Sequence, residues 1–175
     1  RIAELTRTKG RRKNGRFLIE GPQSVREAVR YASDIVTDIY VAGDEDGIDS
    51  DVLADIAQRA LDKSADLYVH TATREVIDHI SPDAQGVIAV GDTDKLRSGM
   101  KAEVEQASSY SRGMRVAAFW QVRDPGNAGT VIRAADAAGC DVVVFVDDCV
   151  DMLNPKVIRS TTGSLFHIPV IAMGT

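Results

Sequence analysis

Apolar residues recur along this chain in two periods that take turns. The runs FLIEG (17–21), TDIYVAG (37–43), ADLYVH (65–70) and GVIAVG (86–91) are short, aliphatic and bounded by Gly, Pro or polar clusters, and they predict strands. Helical patterns separate them. PQSVREAVRYA (22–32) opens with Pro at a helix start and sets Val25, Ala28, Val29 and Ala32 on one face. A helix capped by Ser50 or Asp51 repeats Val52, Ile56, Ala60 and Leu61 at helical spacing. ATREVIDHIS (72–81) predicts a short helix stopped by Pro82. Strands alternating with helices predict a mostly parallel sheet covered by helices, an α/β fold.

The pattern fades over residues 92–113, DTDKLRSGMKAEVEQASSYSRG, where Ser, Gly and charged positions outnumber apolar ones. This composition predicts a linker with at most a helical turn within KAEVEQA. The chain then divides into a small α/β unit over 1–91, a linker over 92–113 and a second unit over 114–175. The second unit reads strand (RVAAFWQV), loop, helix, strand (CDVVVFV), loop, helix, strand, and stops at GT where another element is expected. A half-built α/β sheet leaves an apolar face uncovered, so the chain is expected to be a C-terminally shortened piece of a longer protein.

Composition narrows the classes. A hydrophobic share of 44% beside 27% charged residues fits a packed soluble domain, and Val142 to Val146 is far too short a run to cross a bilayer. Cys140 and Cys149 flank a strand and are expected as small core residues in a reducing, cytoplasmic compartment. His70, His79 and His167 are scattered among apolar neighbours and are expected to be structural. A net charge of -5 argues against nucleic acid, but its distribution does not. Residues 1–16 hold seven basic side chains and one acid, so a basic arm precedes an acidic body. That asymmetry suits an end that meets a polyanion, and a solvated tail fits it equally well.

Two stretches could carry chemistry. In DPGNAGTVIRAADAAG (124–139), Pro125-Gly126 forms a turn and Asn127 is placed as the N-cap of a helix. Val131, Ala134, Ala135 and Ala138 form its expected buried stripe, which leaves Arg133 outside. Helical side chains lean toward the N-terminus, so the Arg133 guanidinium is directed back over Gly129 and Thr130. A loop at the carboxyl end of a strand is where open α/β sheets place their ligands. There Asn127 and Arg133 could stabilise an anionic oxygen. On spacing alone, an ordinary cap and a surface arginine is the simpler reading. The second stretch, NPKVIRSTTGSLFHIPV (154–170), sets hydroxyls around Gly163 before an apolar segment. It could hold a polar ligand edge or merely satisfy its own backbone. Neither stretch has the glycine spacing of a dinucleotide fingerprint or the lysine of a phosphate loop.

Read together, the two stretches resemble the first and second motifs of the SpoU/TrmH class of RNA ribose 2′-O-methyltransferases, in the SPOUT superfamily. Asn127, Gly129 and Arg133 match the first motif. Residues 154–170 match a second motif of the form PK-x-x-R-x-S-x-G-x-x-F-x-x-P, with Thr161 where serine is usual. KGRRKNGRFLIEGPQSVREA looks like the small substrate-binding domain that precedes the catalytic domain in many members. The resemblance implies a trefoil-knotted catalytic domain, one of the rare exceptions to unknotted topology. It also implies S-adenosylmethionine as methyl donor and a homodimer acting on structured RNA, ribosomal RNA ahead of transfer RNA.

Under the same resemblance Arg133 is the key catalytic residue, with Asn127 shaping the site, and Thr161 and Gly163 are candidate donor-binding positions. Arg11, Arg12, Lys13 and Arg16 would grip RNA phosphates, fixing register more than sequence. The family's third motif, an NE-x-x-G-type loop followed by IPM and SLN-type segments, has no counterpart after Val170. That departure keeps an alternative in view: a non-enzymatic RNA-binding protein or inactive fragment with a degenerate methyltransferase half. A nucleotide-binding α/β protein unrelated to RNA is the third and weakest reading.

Overall fold

Each of the predicted aliphatic runs contributes a strand. In the computed structural model, which describes residues 2–174, a 3-10 turn over Ile2–Thr6 leads into α1 (Thr8–Asn14) and β1 (Arg16–Glu20). Then follow α2 (Pro22–Tyr31), β2 (Val36–Asp44), the two-residue β3 (Gly47–Ile48), α3 (Asp51–Lys63), β4 (Tyr68–Ala72), α4 (Arg74–Ile80) and β5 (Val87–Asp92). The sheet runs β1-β5-β2, with β4 on the far side of β2 and β3 paired at its end. Only β2 and β4 are parallel; β5 lies antiparallel to both β1 and β2, with Leu18 opposite Val90 and Tyr40 opposite Ile88. The expected mostly parallel sheet is therefore mixed. A central strand is buried on both faces in either direction, so the unbroken apolar run of β5 carries no information about its polarity.

The helices pack as amphipathic elements, with one shifted stripe. Pro22 stands at the first turn of α2, whose buried side is Ser24, Val25, Ala28 and Val29. Ser50 caps α3 by accepting from the Leu53 amide, and α3 buries Leu53, Ile56, Ala57 and Ala60. Val52 and Leu61, expected on that face, are about half exposed. The true stripe keeps the i, i+3, i+4, i+7 spacing one residue along.

Residues 92–113 are mostly not irregular. Asp92 caps α5 (Thr93–Ser108) by accepting from the Asp94 and Lys95 amides, both at 3.0 Å. Lys, Arg, Glu, Gln, Ala and Met are good helix formers, and together they outweigh the single Gly99. Only Leu96, Met100 and Ala107 of this helix are buried, which is why its pattern reads as linker.

The second unit is β6 (Val116–Trp120), α6 (Pro125–Ala137), β7 (Val142–Val146), α7 (Pro155–Ser160), a 3-10 turn at Ser164–Phe166 and β8 (Val170–Met173). Its sheet, β6-β7-β8, is wholly parallel, with Ala118 opposite Val144 and Val144 opposite Ile171. The two units share one core. Phe17, Leu18 and Ile19 of β1 belong to the same buried cluster as Val157 and Ile158 of α7 and Leu165 after it. Charged groups clamp the same seam. Glu20, only 3% exposed, accepts from Arg159 and from the Ser81 hydroxyl, and Arg159 also reaches Asp83 at 2.7 Å. A buried carboxylate is tolerated because it is paired and hydrogen-bonded.

Candidate active site

The carboxyl edge of the parallel sheet is tied together by the loops after β6 and β7. Trp120 and Gln121 both donate to the Asp147 carboxylate, at 3.3 and 3.1 Å, and the Asp147 amide donates to the Met173 carbonyl. Gln121 and Asp147 sit at φ 50° and 64°, in the left-handed region. Such conformations cost about 1–3 kcal/mol and concentrate at functional sites. Aspartate visits this region more readily than most residues, but glutamine does not, and neither position carries a glycine that would have marked it in the sequence.

From this edge the chain enters α6. Asp124, not Asn127, is the N-cap: its side chain accepts from the Asn127 amide at 2.8 Å, and Pro125 takes the first helical position. An Asp directly before Pro-Gly satisfies the first free amides one turn earlier than expected, so Asn127 keeps its side chain for other work. The buried face of α6 is Ala128, Gly129, Ile132 and Ala135, whereas Ala134 and Ala138 are exposed. Asn127, Thr130 and Arg133 line the opposite, exposed face. The helical rise separates Asn127 and Arg133 by roughly 9 Å along the axis, with Thr130 between them. Arg133 makes no ion pair among the described residues, while its neighbour Asp136 is engaged by His167 at 2.9 Å. The arginine is thus a free, permanent cation among small side chains.

The two motifs meet on the other side of that helix. A Cβ at Gly129 would lie 1.8 Å from the Ser160 hydroxyl and 2.6 Å from the Ser160 carbonyl carbon, so glycine is what lets α7 close on α6. Ser160 then donates to the Pro125 carbonyl at 2.9 Å. Ser160 carries this contact, a role that neither motif match assigned to it.

The positions expected to hold a methyl donor are packed into the protein. Thr161 is fully buried and its hydroxyl donates to the Ile158 carbonyl at 2.6 Å. Gly163, at φ 107°, lies against the Glu27 side chain, which a Cβ would meet at 2.3 Å. The Thr161 side chain and the Gly163 position thus serve packing between the elements.

His167, also in this motif, bridges α6 and α2. Its Nδ1 pairs with Asp136 and its Nε2 with Glu27 at 2.7 Å, and its ring meets Tyr31 edge-on. Burial alone would lower its pKa, but the hydrogen bonds it donates to the Asp136 and Glu27 carboxylates outweigh burial and hold the pKa above its ordinary value.

The four basic residues expected on RNA separate. Arg11 is only 4% exposed; it donates to Asp151 at 2.6 Å, to the Leu5 and Thr6 carbonyls and to the Thr8 hydroxyl. It is a structural clamp between the units and is unavailable to phosphate. Arg16 is paired with Asp92 and partly covered. Arg12 and Lys13 remain exposed.

Comparison with known proteins places both units. Residues 114–175 match the SpoU rRNA Methylase family, and residues 1–89 match the MRM3-like substrate binding domain. The chain is 36% identical over 168 residues to 23S rRNA (guanosine(2553)-2′-O)-methyltransferase RlmP of Bacillus subtilis strain 168, covering 96% of this chain and 58% of that protein. It is 29% identical over 167 residues to 23S rRNA (uridine(2479)-2′-O)-methyltransferase of Streptomyces viridochromogenes, covering 92% and 52%. The crystal structure of the AdoMet-bound rRNA methyltransferase from Sinorhizobium meliloti superposes with a TM-score of 0.72 at 25% identity, over 99% of this chain and 60% of that one. The chain thus spans 52–60% of the length of these relatives.

Proposed function

Because the chain belongs to the SpoU rRNA methylase family, we propose that the protein methylates a ribose 2′-hydroxyl of ribosomal RNA, with S-adenosylmethionine as the methyl donor. The observation that carries this reading is the meeting of the two motifs at Gly129 and Ser160 on the buried side of α6, opposite the exposed Arg133, which makes no ion pair among the described residues. In this reading Arg133 fixes the ribose or its phosphate and stabilises the negative charge that develops on the 2′-oxygen. As a permanent cation it stabilises charge and does not accept the proton. Asn127, one and a half turns earlier, shapes the same mouth. Residues 1–91 would present the RNA, with Arg12 and Lys13 as phosphate contacts, and α5 would connect them to the catalytic unit over 114–175. Action as a homodimer and a cytoplasmic location complete the proposal.

The test is Arg133→Ala in the full-length protein, assayed by methyl transfer to ribosomal RNA. Removing one such electrostatic group lowers turnover by about 100- to 1,000-fold, while RNA binding is expected to persist. Undiminished transfer would remove Arg133 from the mechanism. A second reading, an RNA-binding protein without transferase activity, is favoured by the inward-facing Thr161 and Gly163. Calorimetry of the full-length protein with S-adenosylmethionine separates the two, since clear binding eliminates the second.

A further inference from the structure

The groove between α2 and α3 carries more positive charge than its own contacts neutralise: Asp55 pairs with Arg59, whereas Arg26 meets the neutral Gln23 and Arg30 lies over the Tyr31 ring, outside the groove lining. It encloses about 500 Å³. Its floor is Val29 and Ile56, which are 2% and 1% exposed. Its walls are Arg26 and Arg30 on α2 and Arg59 and Lys63 on α3, opposed within the groove only by Asp62. Four cations facing one acid stand out on a chain whose net charge is -5.

Each wall places like charges four residues apart, an arrangement that weakens a helix. Elsewhere the same spacing holds opposite charges: Arg74 with Asp78 at 3.5 Å and Lys101 with Glu105 at 3.8 Å. Asp55 relieves Arg59 at 2.8 Å, and Asp62 is occupied by Gln58. Arg30 and Lys63 lie in the last turns of their helices, where cations suit the helix dipole. Arg26 and Arg59 lie one turn back, and that explanation does not reach them.

From this juxtaposition we propose that the α2–α3 groove is a phosphate-backbone site that holds the RNA away from the reacting ribose. The proposal rests on RNA being the substrate. The floor residues are already covered, so the groove offers no apolar anchor of the kind that a protein partner's side chains require. Arginine forks match phosphate oxygens in pairs, and no aromatic side chain lines the groove to stack on a base. The site therefore contributes affinity and register, not sequence choice.

The experiment compares the full-length protein with its Arg30→Ala/Arg59→Ala/Lys63→Ala variant and with an Arg97→Ala/Lys101→Ala control on α5. Affinity for a ribosomal RNA fragment is measured across a salt series, alongside methyl-transfer kinetics and thermal melting. The groove variant should bind about 10- to 100-fold more weakly at 0.1 M salt, with the slope of log affinity against log salt reduced by about 2. KM for RNA should rise with kcat retained at saturation, and the control should match the wild type. Should the triple variant melt early, Arg30→Gln/Lys63→Gln reports the same slope with less charge removed. An unchanged affinity and slope in a folded variant overturns the proposal, even if the groove captures an acidic polypeptide such as polyglutamate. Wild-type protein that binds the RNA without methylating it overturns the enzymatic reading alone; wild-type protein that does not bind RNA overturns both.

Discussion

Glycine-to-alanine substitution should have opposite signs in two helices of this protein, and the difference tests how its motifs fit together. In a helix interior alanine is favoured over glycine by about 1 kcal/mol. At Gly99 of α5 a Cβ meets nothing within 4 Å, so Gly99→Ala should realise that gain. At Gly129 of α6 the same atom would lie 1.8 Å from the Ser160 hydroxyl and 2.6 Å from its carbonyl carbon. A side-chain oxygen can rotate away, but a backbone carbon moves only with α7. Overpacking of this kind costs about 1–3 kcal/mol, and a backbone clash belongs to the upper half of that range. After subtracting the propensity gain, Gly129→Ala should lose about 1–2 kcal/mol. For a chain of this size each kcal/mol moves the melting temperature by about 2–4 °C. Gly99→Ala should thus melt about 2–4 °C higher and Gly129→Ala about 2–8 °C lower by circular dichroism. Adding Ser160→Gly to Gly129→Ala removes the hydroxyl and Cβ but keeps the carbonyl carbon, so recovery should be partial. A Gly129→Ala protein as stable as the wild type would refute the close approach of α6 and α7.

Three further outcomes follow from single contacts. Because hydrogen bonds raise the His167 pKa, its stabilisation is complete below the unfolded value of about 6.5 and fades as pH rises through the folded value. The melting advantage of wild type over His167→Gln should shrink from about pH 5.5 to 8.5, and an advantage that grows would contradict the paired imidazolium. Arg11→Met leaves the Leu5 and Thr6 carbonyls and the partly exposed Asp151 without their partner and should destabilise by about 1–3 kcal/mol; an undiminished melting temperature would count against the clamp. Arg12→Ala/Lys13→Ala should leave stability intact and flatten the salt dependence of RNA binding by roughly 1–2 in slope, and an unaltered slope would remove both from the interface.

The strands were legible because aliphatic runs bounded by Gly, Pro and polar clusters have few other uses. Their directions were not, since burial on both faces looks alike for β5 between antiparallel neighbours and for a parallel strand. Helix α5 escaped notice because only three of its residues are buried, and surface propensity is a weak signal. Arg11 could not be told from Arg12 by composition, since its burial depends on Asp151, which is 140 residues away. The candidate site was clearer: PGNAG and the later PKVIRSTTG could be matched from residues alone. Which side chain caps α6 could not, because Asp124 and Asn127 are both good caps and the choice rests on where Pro125 enters.

The contacts that residues 159–167 make with α2, α6 and the N-terminal unit change what mutations there would mean. Arg159 grips Glu20 and Asp83, Ser160 locks onto α6, Gly163 packs against Glu27, and His167 joins α2 to α6. One segment therefore holds the N-terminal unit and the helix bearing Arg133 in a single frame. A substitution in this segment that lowers methyl transfer would not by itself identify a donor contact, since it could equally displace Arg133. A positional error of about 1 Å can cost a hundredfold in rate. The two effects differ in observables. Loss of a donor contact weakens S-adenosylmethionine binding at unchanged melting temperature, whereas loss of the frame lowers the melting temperature and leaves the donor affinity of the folded fraction intact. For Thr161, whose hydroxyl donates to the Ile158 carbonyl, the second pattern is the expected outcome.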